Sequence, residues 1–399
     1  MRVGTPGFVP ERLIEARAIR RISSKSQLAR LLSVNPSTVT RWEDGTSAPD
    51  AEALSSLSSE LRLRREFFLR PTFSSPRPMF NRSLSSTLVR DKNYQNAQMQ
   101  WLHEVSAVIQ HYVDYPAVDI PDVLGGHSYS QLRDEDLESI ALDLRDYWGL
   151  GNGPCPNVVA LMERVGCIVS SIEMGTSKLD GLCSWSASED RPHILLATDK
   201  MSFFRRQMDA AHELAHAILH KGVSAEDLKK NIKHIETQAF RLASAFLMPS
   251  TSYPSEIVHP SLATLRSLKG RWFVSIKAQI KRLSDLKIID KDHATYLYKL
   301  YSQKGWSRSE PLDNEITLQQ PQTLSDAMNL IVDSKTRTRQ DLLAVEFTQQ
   351  AGDIENITNL PPGWFSERRG EIVKLKSKTS SSNKTVQDSQ VLPFPKKNS

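Results

Sequence analysis

Only three cysteines occur, Cys155, Cys167 and Cys183, and none sits in a C-x-x-C pair. An odd, unpaired set argues against a disulfide framework, a cysteine zinc site or an iron–sulfur cluster. All three read as buried thiols. No run of about 18 uncharged apolar residues exists, so no transmembrane helix and no membrane partner are expected. The start, Met1-Arg-Val-Gly-Thr-Pro-Gly-Phe, lacks the apolar stretch of a signal peptide, which predicts a cytoplasmic protein. No internal repeat is present. Net charge is a modest +5 over 399 residues.

That charge is unevenly spread. Residues 1–72 carry 12 basic and 8 acidic side chains and residues 366–399 carry 8 and 3, leaving 31 and 35 between them. Two basic ends on a mildly acidic body fit a small nucleic-acid-binding head joined to a body with another task. At roughly 100–200 residues per domain, the length predicts two to four domains.

Residues 8–70 read as a compact helical unit. Residues 51–70 extend it with an arginine-rich face at Arg62, Arg64, Arg65 and Arg70. Residues 71–87 are rich in Pro and Ser and read as a linker. Helical patterns follow over 90–114, 133–148 and Val158–Arg164. The period then shortens, and Cys167–Glu173, Gly181–Ser186 and Pro192–Thr198 read as strands. Long helical patterns return at 202–220, about 231–248 and 261–302. A small, mostly helical unit begins beyond 321, and a Ser/Lys-rich tail from about 376 reads as disordered.

His212 and His216 stand four residues apart. On a helix this puts both imidazoles on one face, one turn apart, within reach of a single ion. Glu213 lies beside them, placed to take a proton from a metal-bound water. This is the H-E-x-x-H arrangement of zinc peptidases, with Zn2+ as the expected cofactor. The flanking Ala211, Ala215, Ala217, Ile218 and Leu219 make the helix a buried one, and buried polar groups need partners. A catalytic zinc takes a third protein ligand. His220 lies roughly 12 Å from His212 along the axis, too far to share one ion, and reads as a residue that supports a ligand from behind or lines the cleft. Glu236, near the start of the next helix, is the better candidate, with His234 competing. Small Ala239 and Ala243 would let the two helices approach.

Ser26 to Gly45 fits a helix-turn-helix. Its second helix would be capped by Asn35, begin at Pro36 and stop at Gly45. Such a helix enters the major groove of DNA. Val39 and Trp42 would pack inward while Ser37, Thr38 and Arg41 face outward, with Thr40 and Gln27 able to touch phosphate or base.

Leu28-Ala29 through Val34 and Ser37-Thr-Val-Thr-Arg-Trp-Glu-Asp-Gly45 resemble the Xre/Cro/C1-type helix-turn-helix, with Ser33 where the turn usually has Gly. The body resembles the ImmA/IrrE family of zincin-like metallopeptidases over about residues 90–315. The resemblance runs through Leu144-Arg-Asp-Tyr-Trp-Gly-Leu-Gly, Gly153-Pro154, Glu163-Arg-Val-Gly166, Asp180-Gly-Leu-Cys-Ser-Trp185, Ala211-His-Glu-Leu-Ala-His216, Glu236-x-x-Ala239 to Pro249, Leu268 to Ser275 and Glu310-Pro311. Ala215 stands where Gly is common. The resemblance implies a mostly helical α+β fold. An all-α helix-turn-helix domain (1–70) and a linker (71–89) precede a zincin-like domain (90–315) with a small sheet packed on its active-site helices. A helical region (316–375) and a disordered tail (376–399) complete the chain.

The resemblance also implies His212, His216 and Glu236 as zinc ligands and Glu213 as general base. The expected function is a DNA-binding regulatory zinc metalloendopeptidase. Its substrate would be a helix-turn-helix repressor or antitoxin-like protein in stress or mobile-element control. The alternative is a transcriptional regulator or toxin–antitoxin component whose zincin-like body senses or binds a partner without proteolysis. Expected partners are operator DNA, the protein substrate and a second copy of the chain. Gly181–Ser186 is the candidate edge strand for a substrate backbone.

Overall fold

The structure, a computed structural model, describes residues 4–73, 78–80, 89–176, 179–199 and 202–366. The expected tail at 376–399 and most of the 71–89 linker lie outside these residues. The fold is mostly helical with one small sheet, as an α+β chain requires.

The head consists of α1 (Pro10–Ile19), α2 (Lys25–Leu31), α3 (Pro36–Glu43) and α4 (Ala51–Glu60). Short polar side chains start two of these helices. Ser24 Oγ accepts from the Gln27 amide at 3.1 Å and Asp50 Oδ1 from the Ala53 amide at 2.9 Å. Asn35 occupies the cap position before Pro36, but its side chain makes no capping bond. Ser33, between α2 and α3, sits at φ +54°. That left-handed conformation is the physical reason for glycine at such a turn. Leu13, Ala16, Leu28, Val39, Trp42, Leu54 and Leu57 form the head's interior.

The expected arginine-rich face on 51–70 does not form. Helix α4 ends at Glu60 and Arg62 turns left-handed at φ +48°. The Arg64 guanidinium donates to the carbonyls of Leu343, Ala344 (3.0 Å) and Phe347 (2.8 Å). That of Arg70 donates to Glu346 (3.0 Å) and Val345 (2.7 Å). These cations bind the carbonyl end of a helical turn, so two of the four arginines are committed to the protein itself.

The body begins with β1 (Met79–Phe80), α5 (Val89–Gln110), α6 (Asp134–Tyr147) and α7 (Val158–Arg164). The strands β2 (Ile168–Ile172), β3 (Gly181–Trp185) and β4 (Pro192–Ala197) come next. After them run α8 (Phe203–Leu219), α9 (Ala225–Leu247), α10 (Leu262–Trp272), α11 (Ile276–Asp285) and α12 (Lys291–Gln303). The last elements are α13 (Thr323–Asp333), the single turn α14 (Arg339–Asp341) and α15 (Ala351–Ile357).

The sheet order is β1-β3-β4-β2, with β2 parallel to β4 and the other pairs antiparallel. Every residue of β2, β3 and β4 is buried. Alternation sends Val169, Cys183, Ile194 and Leu196 to the face packed with α8 and α9. Ile168, Ile172, Leu182, Leu195 and Ala197 go to the opposite face, against residues of α5, α13 and α15. Two covered faces explain why these strands read as apolar runs rather than as alternating ones. The three cysteines are free and buried, consistent with their reading as packing residues.

The described residues up to Phe365 form one compact unit. Arg12 bridges Glu15 and Glu104 at 3.1 and 2.9 Å, and Trp101 Nε1 donates to Glu15 at 2.6 Å, joining α1 to α5. Arg20 grips Asp353 of α15 through two bonds of 2.8 and 2.6 Å. No described helix is long and apolar enough to cross a membrane.

Candidate metal centre

Helix α8 starts at Ser202, whose Oγ also donates to Asp313 at 2.9 Å. It carries His212, Glu213 and His216, respectively 5%, 4% and 1% exposed. Such depth removes solvent as a partner, so the polar atoms must meet each other or a ligand. A short connection at 220–224 reverses the chain into α9, making an antiparallel hairpin. Helix α9 is broken at Asn231, where φ is −116° and ψ 19°, and its regular part carries Glu236 inward. Buried Ala211, Ala215, Ala239 and Ala243 share the core between the helices.

Three donor atoms converge there. His212 Nε2 and His216 Nε2 lie 3.1 Å apart, and the Glu236 carboxylate lies 3.3 Å from the first and 3.4 Å from the second. Donors bound tetrahedrally to zinc at about 2.0–2.1 Å stand roughly 3.3 Å apart, so the residues present fit the ion. Neither Glu236 oxygen has a hydrogen bond of ordinary geometry, although both are buried. Burial alone would raise the Glu236 pKa, but the two imidazoles hold it well below the ordinary carboxylate value.

Glu213 borders a cleft lined by Asp180, Gly181, Asp209, His212 and Phe240. Burial, and then the carboxylates of Glu236, Asp209 and Asp180, push the Glu213 pKa well up. Gly181 is required here: a Cβ at that position would lie 2.7 Å from both Cγ and Oε1 of Glu213. The Phe240 ring, 4.1 Å from that of His212, walls the other side.

His220 stands behind the three rather than among them. Its Nδ1 is 3.1 Å from His216 Nδ1, and its Nε2 is 3.4 Å from Gln238 Oε1. Gln238 Nε2 donates to the Tyr129 carbonyl at 2.7 Å. A His216 that offers Nε2 to a metal keeps its proton on Nδ1, and this chain can accept and pass on that bond. Burial first, and the His216 ring second, hold the His220 pKa well below its usual value. His234 is exposed, with its ring 6.2 Å from Tyr129, and the structure does not bring it to the three.

Sequence reading missed Gln238, Tyr129 and Phe80, whose ring stacks on His216 at 5.0 Å between centroids, 13° from parallel. Phe240 carried a signal, since it lies one helical turn after Glu236 and so shares its face. Gly181–Ser186, expected as a free edge strand, has β1 along it instead: Met79 pairs with Ser184 and Phe80 with Cys183.

In the head, Ser37 and Arg41 are exposed on α3, and Gln27, Thr38 and Thr40 are half-buried nearby. The Gln27 amide oxygen accepts from the Ser23 backbone at 3.1 Å, and Arg41 reaches Thr38 Oγ1 at 3.5 Å. Val39 and Trp42 are buried beneath them.

Residues 162–284 match the family of IrrE N-terminal-like domains, Peptidase_M78, and residues 13–68 match a helix-turn-helix family. No curated protein matches the chain. The first match spans β2, β3 and β4 and the whole His212–Glu236 centre, but not β1. It is narrower than the 90–315 over which the sequence bears resemblance. Head and body together therefore give this chain the architecture of a helix-turn-helix domain joined to an ImmA/IrrE-type domain.

Proposed function

We propose that this chain is a DNA-binding regulatory zinc metalloendopeptidase whose substrate is a helix-turn-helix repressor or antitoxin-like protein. The observation that carries this reading is the meeting of His212, His216 and Glu236 within 3.4 Å of one another, beside a buried Glu213 at a cleft. His212, His216 and Glu236 would hold the ion. When bound, zinc would polarise a peptide carbonyl and lower the pKa of a water to about 7.

Glu213 would take a proton from the water as its oxygen bonds the peptide carbonyl carbon, and would give that proton to the amide nitrogen as the C–N bond breaks. Gly181 leaves the room that Glu213 occupies. His220, through Gln238, holds the His216 ring with Nε2 inward. On the head, Ser37, Thr38, Thr40 and Arg41 of α3, with Gln27, would meet operator DNA.

Zinc content with a proteolysis assay tests the reading. Wild type should hold about one zinc per chain, and Glu236→Gln should lose most of it. Glu213→Gln should keep its zinc yet cut a co-expressed repressor at least roughly 100-fold more slowly. Undiminished cleavage by Glu213→Gln would refute the mechanism.

A further inference from the structure

We propose that this chain's own Met79–Phe80 occupies the edge of β3, where a substrate backbone is expected to pair, and keeps the centre closed, so that an entering peptide must bring a large apolar side chain in place of Phe80. The inference rests on the peptidase reading above and adds the ligand class and its regulation.

Four observations carry it. Among the described residues, Met79 and Phe80 are the partner of β3 on that side and run antiparallel to it, in the manner of an added peptide strand. Two paired residues are too few to form a strand by their own propensity, so the side-chain seat must hold them. Phe80 is 2% exposed, its ring stacked on His216 at 5.0 Å and 5.8 Å from the ring of His220. The pairing also has a direction. Going from Met79 to Phe80, the partner changes from Ser184 to Cys183, so the segment advances towards Gly181, which abuts Glu213. A flat apolar ring thus sits against the face of a metal-ligand histidine, on a strand aimed at the general base.

A peptide that enters must displace this segment, offering its own extended backbone to β3 and a large apolar side chain to the His216–His220 face.

The test uses the full zinc-loaded chain carrying Glu213→Gln, so that nothing is cut. The probe is a fluorescein-labelled synthetic peptide with the sequence of residues 75–84. With Phe80→Asp added, the probe should bind at least tenfold more tightly than to the chain that retains Phe80, and a probe with alanine in place of its phenylalanine should not bind. Amide exchange of the 181–186 segment should quicken in Phe80→Asp while α3 and α12 stay protected. If Phe80→Asp loses protection everywhere, Phe80→Leu replaces it, with a smaller gain expected. Equal probe affinity with and without Phe80, or no binding to a folded chain holding one zinc, overturns the proposal. A chain that takes up no zinc instead removes the peptidase reading beneath it.

Discussion

Glu213 shows how one residue's position rests on another's lack of a side chain. A Cβ at position 181 would come within 2.7 Å of the Glu213 Cγ and Oε1, inside any allowed contact. The carboxylate of Gly181→Ala would have to move while His212, His216 and Glu236 stay where they are. On the proposed peptidase reading, the expected result is normal zinc content with cleavage lowered roughly 100-fold, because a displacement of about 1 Å costs that much in positioned chemistry. Zinc analysis and rate measurement on the same preparation check it, and unchanged turnover would show that Glu213 tolerates the shift. Ser33 is the opposite case: a non-glycine residue held at φ +54° where the backbone prefers glycine.

At the scale of elements, α5 and β4 meet through two buried imidazoles. His103 of α5 stacks on His193 of β4 with centroids 4.1 Å apart, and neither His103 ring nitrogen has a hydrogen-bond partner. Burial lowers the His103 pKa to about 4. The unfolded chain therefore binds a proton near its ordinary pKa of about 6.5, while the folded chain stays neutral until about pH 4. Stability is lost as pH falls through this window, by about 2 kcal/mol at pH 5 from this residue. His103→Leu should flatten that part of the pH profile in urea unfolding at pH 5 and pH 7.5. An equal pH dependence in both proteins would place the proton elsewhere.

For the molecule as a whole, charged side chains clamp the head to the body. Arg64 and Arg70 reach the carbonyls of residues 343–347, Arg20 holds Asp353, and Arg12 joins Glu104. Hydrogen bonds from charged donors are worth about 1.5–3 kcal/mol each. Arg64→Ala with Arg70→Ala should thus destabilise the head by several kcal/mol at most, with solvent screening reducing it to roughly 2–4. Hydrogen exchange should rise in α1 to α4 and leave α8 and α9 protected. A uniform rise across both would mean that head and body unfold together. Residues 323–365 here supply α13 and α15 to the shared core and carbonyls to the head's arginines, a role that no motif in them announced.

Much of this was legible because it is local. The four-residue spacing of His212 and His216 puts both on one helical face wherever the helix goes. The small residues Ala239 and Ala243 mark close helix packing, and apolar runs without alternation mark strands covered on both faces. Pro36 marks the start of α3. Sequence alone thus determined most of the element types, the inward face of α8, the burial of Val39 and Trp42 beneath α3, and His212, Glu213, His216 and Glu236 as the residues that would share a site.

Tertiary structure decided what depends on groups far apart in the chain. It brought Glu236 rather than His234 to His212 and His216, joined His220 to Gln238 and Tyr129, turned Arg64 and Arg70 from a surface face into a clamp, and laid Met79–Phe80 along β3. None of these leaves a period in the sequence, since a contact between distant residues is selected by the packing of whole elements. A two-residue strand in a Pro/Ser-rich segment exists only because β3 and the His216 ring are already there to receive it.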